Sequence, residues 1–90
     1  IVCLPTPGHT RGHQSLRIEL ESGPVVLTGD CVYLESMLDQ MQVPTIGSER
    51  SQGQQRDSMR YLASLRDDGC RLLYGHDHQQ FAALPAEGLC

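Results

Sequence analysis

Three short apolar runs in this chain end alike, and that ending limits what the chain can build. Ile1-Val2-Cys3-Leu4 gives way to Thr6-Pro7-Gly8-His9-Thr10-Arg11-Gly12-His13, Val25-Val26-Leu27 to Thr28-Gly29-Asp30, and Leu72-Leu73-Tyr74 to Gly75-His76-Asp77-His78. Runs this short suit strands better than helices, which need ten or more residues to bury a stripe. Glycine and proline stop each run and force a turn. A sheet whose strand ends carry the polar residues follows from that pattern.

Between these endings, Gln14 to Leu20 alternates, with Leu16, Ile18 and Leu20 on one face and Ser15, Arg17 and Glu19 on the other, as a half-buried strand does. Glu21-Ser22-Gly23-Pro24 reads as a turn into the Val25 strand. Leu34, Met37, Leu38 and Met41 have helical spacing, but Pro44, Gly47 and Gly53 interrupt it, predicting a short helix and then a loop up to residue 54. From Gln54 to Asp68, Met59, Leu62, Ala63 and Leu65 form an apolar stripe opposite a solvated arginine face, and Gly69 suits the position just past a helix end. After His78 about one more helical turn is expected. Strand, strand, strand, helix, strand predicts an α/β arrangement with a mixed sheet, as one small domain or part of one.

The composition removes several classes. No apolar stretch approaches the roughly 18 to 20 residues of a membrane-spanning helix, and the N-terminus lacks the basic and apolar regions of a signal peptide. The chain begins without Met, as a trimmed chain would. A net charge of −4, with seven dispersed arginines and only four aromatic residues, argues against a nucleic-acid partner. The cysteines at 3, 31, 70 and 90 form no C-x-x-C pair, which points to a reducing cytoplasm. Cys31 is read as a small buried residue.

His9 with His13, Asp30, and His76 with Asp77 and His78 stand at separate strand ends. Neutral imidazoles plus a carboxylate are a donor set for zinc or a similar ion. On residue type and spacing alone a metal site and a set of ordinary solvated loop histidines stand side by side.

The succession T-P-G-H-T-R-G-H, V-V-L-T-G-D and L-L-Y-G-H-D, from residue 1 to about residue 80, resembles the third, fourth and fifth metal motifs of the metallo-β-lactamase fold. The resemblance implies half of that αββα sandwich, with residues 1–90 as the C-terminal portion of the domain. It makes His9 a terminal ligand of one zinc, Asp30 a bridge between two zincs, and His76 a terminal ligand of the other. His13 would then be a supporting residue that orients its neighbours, Asp77 a turn-stabilising carboxylate, and His78 exposed. The H-x-H-x-D-H motif that supplies the family's remaining ligands occurs nowhere in the sequence.

Asp30-Cys31-Val32-Tyr33, the Gly75-His76-Asp77-x-x-Gln80 ending and the D-S-M-R-Y-L-A-S-L helix at 57–65 resemble the bacterial N-acyl homoserine lactonases. That likeness implies metal-assisted opening of a lactone ring, quorum quenching, and a role for Tyr33 as hydrogen-bond donor to the substrate oxygen. Asp30 and Tyr33 are thus the expected catalytic residues and a small ester or lactone the expected partner. A glyoxalase-II-like thioester hydrolase shares the first two motifs. A third reading is a non-catalytic fragment or interaction module, since three ligands serve two ions poorly. Strands left uncovered would favour a homodimer or association with the missing N-terminal half.

Overall fold

The computed structural model describes residues 1–45 and 47–84. Four strands, β1 (Val2–Pro5), β2 (Gln14–Leu20), β3 (Gly23–Leu27) and β4 (Arg71–Leu73), form one sheet in that order. Three helices accompany it: α1 (Glu35–Asp39), α2 (Glu49–Asp67) and α3 (His78–Ala82). The sheet is mixed, as the element order predicts: β1–β2 and β2–β3 are antiparallel and β3–β4 is parallel. A parallel pair needs a long crossover, and residues 28–70, carrying α1 and α2, supply it.

The register places every chemistry-bearing segment at one end. Pro5 pairs with Gln14, Leu16 with Leu27, and Leu27 with Leu73. The loop after β1 and the turns after β3 and β4 therefore leave the sheet together.

Helix α2 is longer than its apolar stripe predicts. It starts at Glu49, with Ser48 as N-cap accepting a hydrogen bond from the Ser51 amide at 3.1 Å. Gly53, expected to lie in a loop, sits inside it. A mid-helix glycine costs about 0.5–1 kcal/mol relative to alanine; Met59 and Leu62, fully buried on the same helix, offset it. At the other end Gly69, with φ +104°, closes a Schellman motif: its amide donates to Arg66 O and the Cys70 amide to Leu65 O, both at 3.0 Å.

The core lies between α2 and one sheet face. Val26, Leu72, Met59, Leu62, Cys31, Val32 and Leu38 pack together. Residues paired across strands share a face, so Arg17, the partner of Val26, lies on the α2 side. The expected apolar face of β2, Leu16, Ile18 and Leu20, is real but points the other way, with Leu27, and is only half-buried. Alternation alone could not say which face the helix covers.

On the solvated side Arg56 and Arg60 are exposed, and Arg66 ties α2 to α1 through Asp39 at 2.8 Å. No helix among the described residues is long and apolar enough to cross a membrane.

Candidate metal centre

The sheet end brings His9, Asp30 and His76 into contact. Asp30, on a single 3-10 turn Gly29–Cys31 after β3, stands between the two imidazoles. Its Oδ2 lies 3.5 Å from His9 Nε2 and its Oδ1 3.2 Å from His76 Nε2. All three side chains keep access to solvent, at 36%, 49% and 58% exposure respectively. Tyr33 joins them: its ring meets that of His76 edge-on at 4.4 Å between centroids and that of His9 at 6.1 Å.

Each of the three polar residues follows a glycine, and the glycines do steric work. A Cβ on Gly75 would run into the Gly29 carbonyl oxygen, and one on Gly8 into the backbone of Gln55. The Asp30 and His76 turns therefore pack backbone to backbone. They are zipped further by Thr28 N–H to Leu73 O at 3.0 Å, and by Gly75 and His76 N–H to Val32 and Tyr33 O, both at 3.1 Å.

His13 has the supporting role expected of it, with a definite polarity. The Asp30 amide can only donate, and it donates to His13 Nε2 at 3.0 Å. Nε2 is therefore bare, and the neutral ring carries its proton on Nδ1, donated to Thr6 Oγ1 at 2.9 Å. The buried Thr6 hydroxyl passes to Ser15 Oγ at 2.8 Å and that hydroxyl to Thr28 O at 3.5 Å. Asp77 caps α3, accepting the Gln80 amide at 2.9 Å, and His78 is exposed, both as expected.

Several polar side chains to which the sequence assigned no role shape this end. Gln80, in α3, spans the outer edge of β4: its Nε2 donates to Leu72 O at 2.7 Å and its Oε1 accepts the Tyr74 amide at 2.9 Å. An amide side chain thus completes the hydrogen bonding of the strand that delivers His76. Thr28 Oγ1 donates to Val32 O at 2.9 Å, and Gln55 and Ser58 reach loop carbonyls from α2. A buried polar residue in a short motif was the available signal, but its partner is set by the fold.

Cys31, directly after Asp30, is buried, and burial pushes its thiol up to about 12, so it stays a neutral packing group. Beside His9 and Tyr33 opens a cavity of about 340 Å³, also lined by Arg11, Pro44, Ser51 and Gln55.

Among the described residues no group of three or more His, Cys, Asp or Glu side chains gathers closely enough to hold an ion. The donors divide instead, with one imidazole facing each oxygen of a single carboxylate. In kind they suit two cations sharing that carboxylate; in number each ion would draw two donors from this chain, short of the usual three or four.

No protein-family model matches the chain. A Bacillus protein described as N-acyl homoserine lactonase is 40% identical over 78 residues, covering 86% of this chain and 30% of that protein. A solved N-acyl homoserine lactone hydrolase with the product N-hexanoyl-L-homoserine bound at its catalytic metal centre superposes with a TM-score of 0.76 at 34% identity, over 92% of this chain and 33% of that one. A mutant of the B. thuringiensis protein AiiA with N-decanoyl-L-homoserine at its active site gives the same TM-score, identity and coverage. The chain spans about a third of the length of the relatives it matches. With its mixed four-stranded sheet and its motifs in order at one sheet end, the chain has the fold of about a third of these lactone hydrolases, the metallo-β-lactamase fold, and is similar to them in sequence.

Proposed function

We propose that this chain contributes one part of a two-zinc centre in a hydrolase that opens the lactone ring of N-acyl homoserine lactones. The observation that carries the reading is the Asp30 carboxylate held between His9 and His76, with Tyr33 packed on both rings. His9 and Asp30 would hold one ion, His76 and Asp30 the other, and donors outside these residues would complete both. The likeness to a hydrolase with a catalytic metal centre supports this assignment.

When bound, such a metal pair supplies a hydroxide near neutral pH and polarises the substrate carbonyl. The chain's own residues do the rest. Asp30 fixes the spacing of the two imidazoles, and His13 holds the Asp30 backbone through the amide. Tyr33 donates a hydrogen bond from its phenol to the lactone oxygen as negative charge develops there. Its pair of edge-on imidazole contacts limits the ring's freedom, so little ordering remains at the moment of reaction.

Residues 1–90 serve as the C-terminal portion of the catalytic domain, and free thiols at Cys3, Cys31 and Cys70 support a cytoplasmic setting. Metal analysis of the full-length protein and a lactone-opening assay read by proton release test the reading. About two zincs per chain and turnover of an N-acyl homoserine lactone are expected, with both lost in Asp30→Ala. Hydrolysis of a thioester in preference to the lactone would move the enzyme to the glyoxalase-II-like class, and a metal-free, inactive full-length protein would sink the proposal.

A further inference from the structure

The inward face of α2 is not wholly apolar. Met59 and Leu62 are fully buried there, but Gln55 and Ser58, on the same face at i and i+3, are each only 5% exposed. A buried amide or hydroxyl costs stability unless it is bonded, and the helix backbone already satisfies its own groups. Both side chains instead reach carbonyls of the two segments that carry His9 and Asp30. Gln55 Nε2 donates to Cys31 O at 3.0 Å, one residue past Asp30. Ser58 Oγ donates to Pro7 O at 2.8 Å, two residues before His9. Gly8, between Pro7 and His9, lies directly on the Gln55 backbone, where any Cβ would collide.

We infer that Gln55 and Ser58 are positioning residues: one turn of α2 is the common mount on which the His9 loop and the Asp30 turn are held at their mutual spacing. This rests on the metal-centre reading above, because the spacing matters most if His9 and Asp30 share an ion. The sheet alone does not set the gap. β1 and β3 are separated by β2, and the His9 loop leaves β1 with three residues still to run before His9. A shared support on a rigid helix removes the independent motion of two loops, which a metal site needs.

The test uses the full-length protein and two variants. Gln55→Met keeps side-chain length and helix compatibility while removing the donor; Ser58→Ala removes the hydroxyl. Amide hydrogen exchange is followed at Gly8 and Cys31, whose N–H groups are bonded to Thr10 O and Thr28 O, and in the β2–β3 ladder. Zinc affinity is measured by competition with a chromogenic chelator. Each variant is expected to speed exchange at its own loop at least about tenfold and to weaken zinc binding about 10- to 100-fold, with the β2–β3 ladder unchanged. Met59→Ala, a packing control on the same face, should instead speed exchange throughout the sheet. Exchange that changes uniformly, or not at all, in Gln55→Met and Ser58→Ala would overturn the inference. If the parent protein takes up no zinc, the metal-centre reading fails, and the exchange pattern still decides whether α2 mounts the loops.

Discussion

The two ends of the sheet use glycine differently. At the end bearing His9, Asp30 and His76, glycines are contact surfaces: Gly75 meets the Gly29 carbonyl and Gly8 the Gln55 backbone, with no room for a Cβ. At the far end, Gly23 (φ +118°) and Gly69 (φ +104°) have nothing within 4 Å of a Cβ position. They are present for backbone conformation, closing the β2–β3 turn and the end of α2. The first end adds close approach to the left-handed backbone of Gly8 (φ +137°) and Gly29 (φ +57°), whereas the far end relies on turn geometry, so substitution at Gly75 and at Gly69 should separate steric collision from backbone strain.

The largest effect is expected at Gly75, whose φ is not positive and whose cost is therefore collision alone. Gly75→Ala should destabilise the protein by about 3 kcal/mol, the upper part of the overpacking range, because the obstacle is a backbone oxygen that cannot rotate away. Urea denaturation gives the stability change, and lactone turnover should fall with it. A neutral result would mean that the Asp30 and His76 turns are not in backbone contact.

Gly69→Ala comes next. Open space surrounds it, so only the left-handed backbone is strained, at about 1–2 kcal/mol. Its thermal midpoint should drop while turnover in the still-folded protein is unchanged. A loss of turnover equal to that of Gly75→Ala would break the distinction between the two ends.

Cys31 and Cys3 probe the same contrast chemically. Cys31 is buried beside Asp30 with its thiol raised to about 12, whereas Cys3 is exposed on the edge strand β1. Iodoacetamide at pH 8 followed by peptide mapping should modify Cys3 and leave Cys31 untouched until the protein is denatured. An unfolded thiol ionises near 9, whereas burial pushes that of Cys31 up to about 12. Cys31 burial therefore contributes stability that is complete below pH 9 and is lost as pH rises toward 12. Rapid native-state labelling of Cys31 would show that the Asp30 turn opens readily.

The smallest effect belongs to Gly53, which lies inside α2 with an ordinary φ and open space around it. Gly53→Ala should raise stability by about 0.5–1 kcal/mol, seen as a higher denaturation midpoint. A destabilised variant would show that α2 does not begin before residue 53.

Much of this contrast was legible in the residues. Alternation located β2 to the residue, Gly69 marked the end of α2, and glycine-preceded His9, Asp30 and His76 marked the strand ends that meet. The start of α2 was hidden because Gly47 and Gly53 read as breakers, whereas the Ser48 cap and burial of the helix's inner face outweigh one glycine. The roles of Gln55 and Ser58 were silent because their partners are carbonyls on segments distant in sequence: Gln55 and Cys31 are 24 residues apart, and Ser58 and Pro7 are 51 apart.

By itself the sequence determined the kinds of element, their order, and which residues the strand ends would present, since these depend on local periodicity, turn chemistry and motif order. Only the tertiary structure decided that Leu16, Ile18 and Leu20 face away from α2, that Asp30 offers a different oxygen to each histidine, and that a helix 24 residues downstream supports the Asp30 turn. Those outcomes depend on sheet register and on which backbones can touch, and both are set by contacts among residues far apart in the chain.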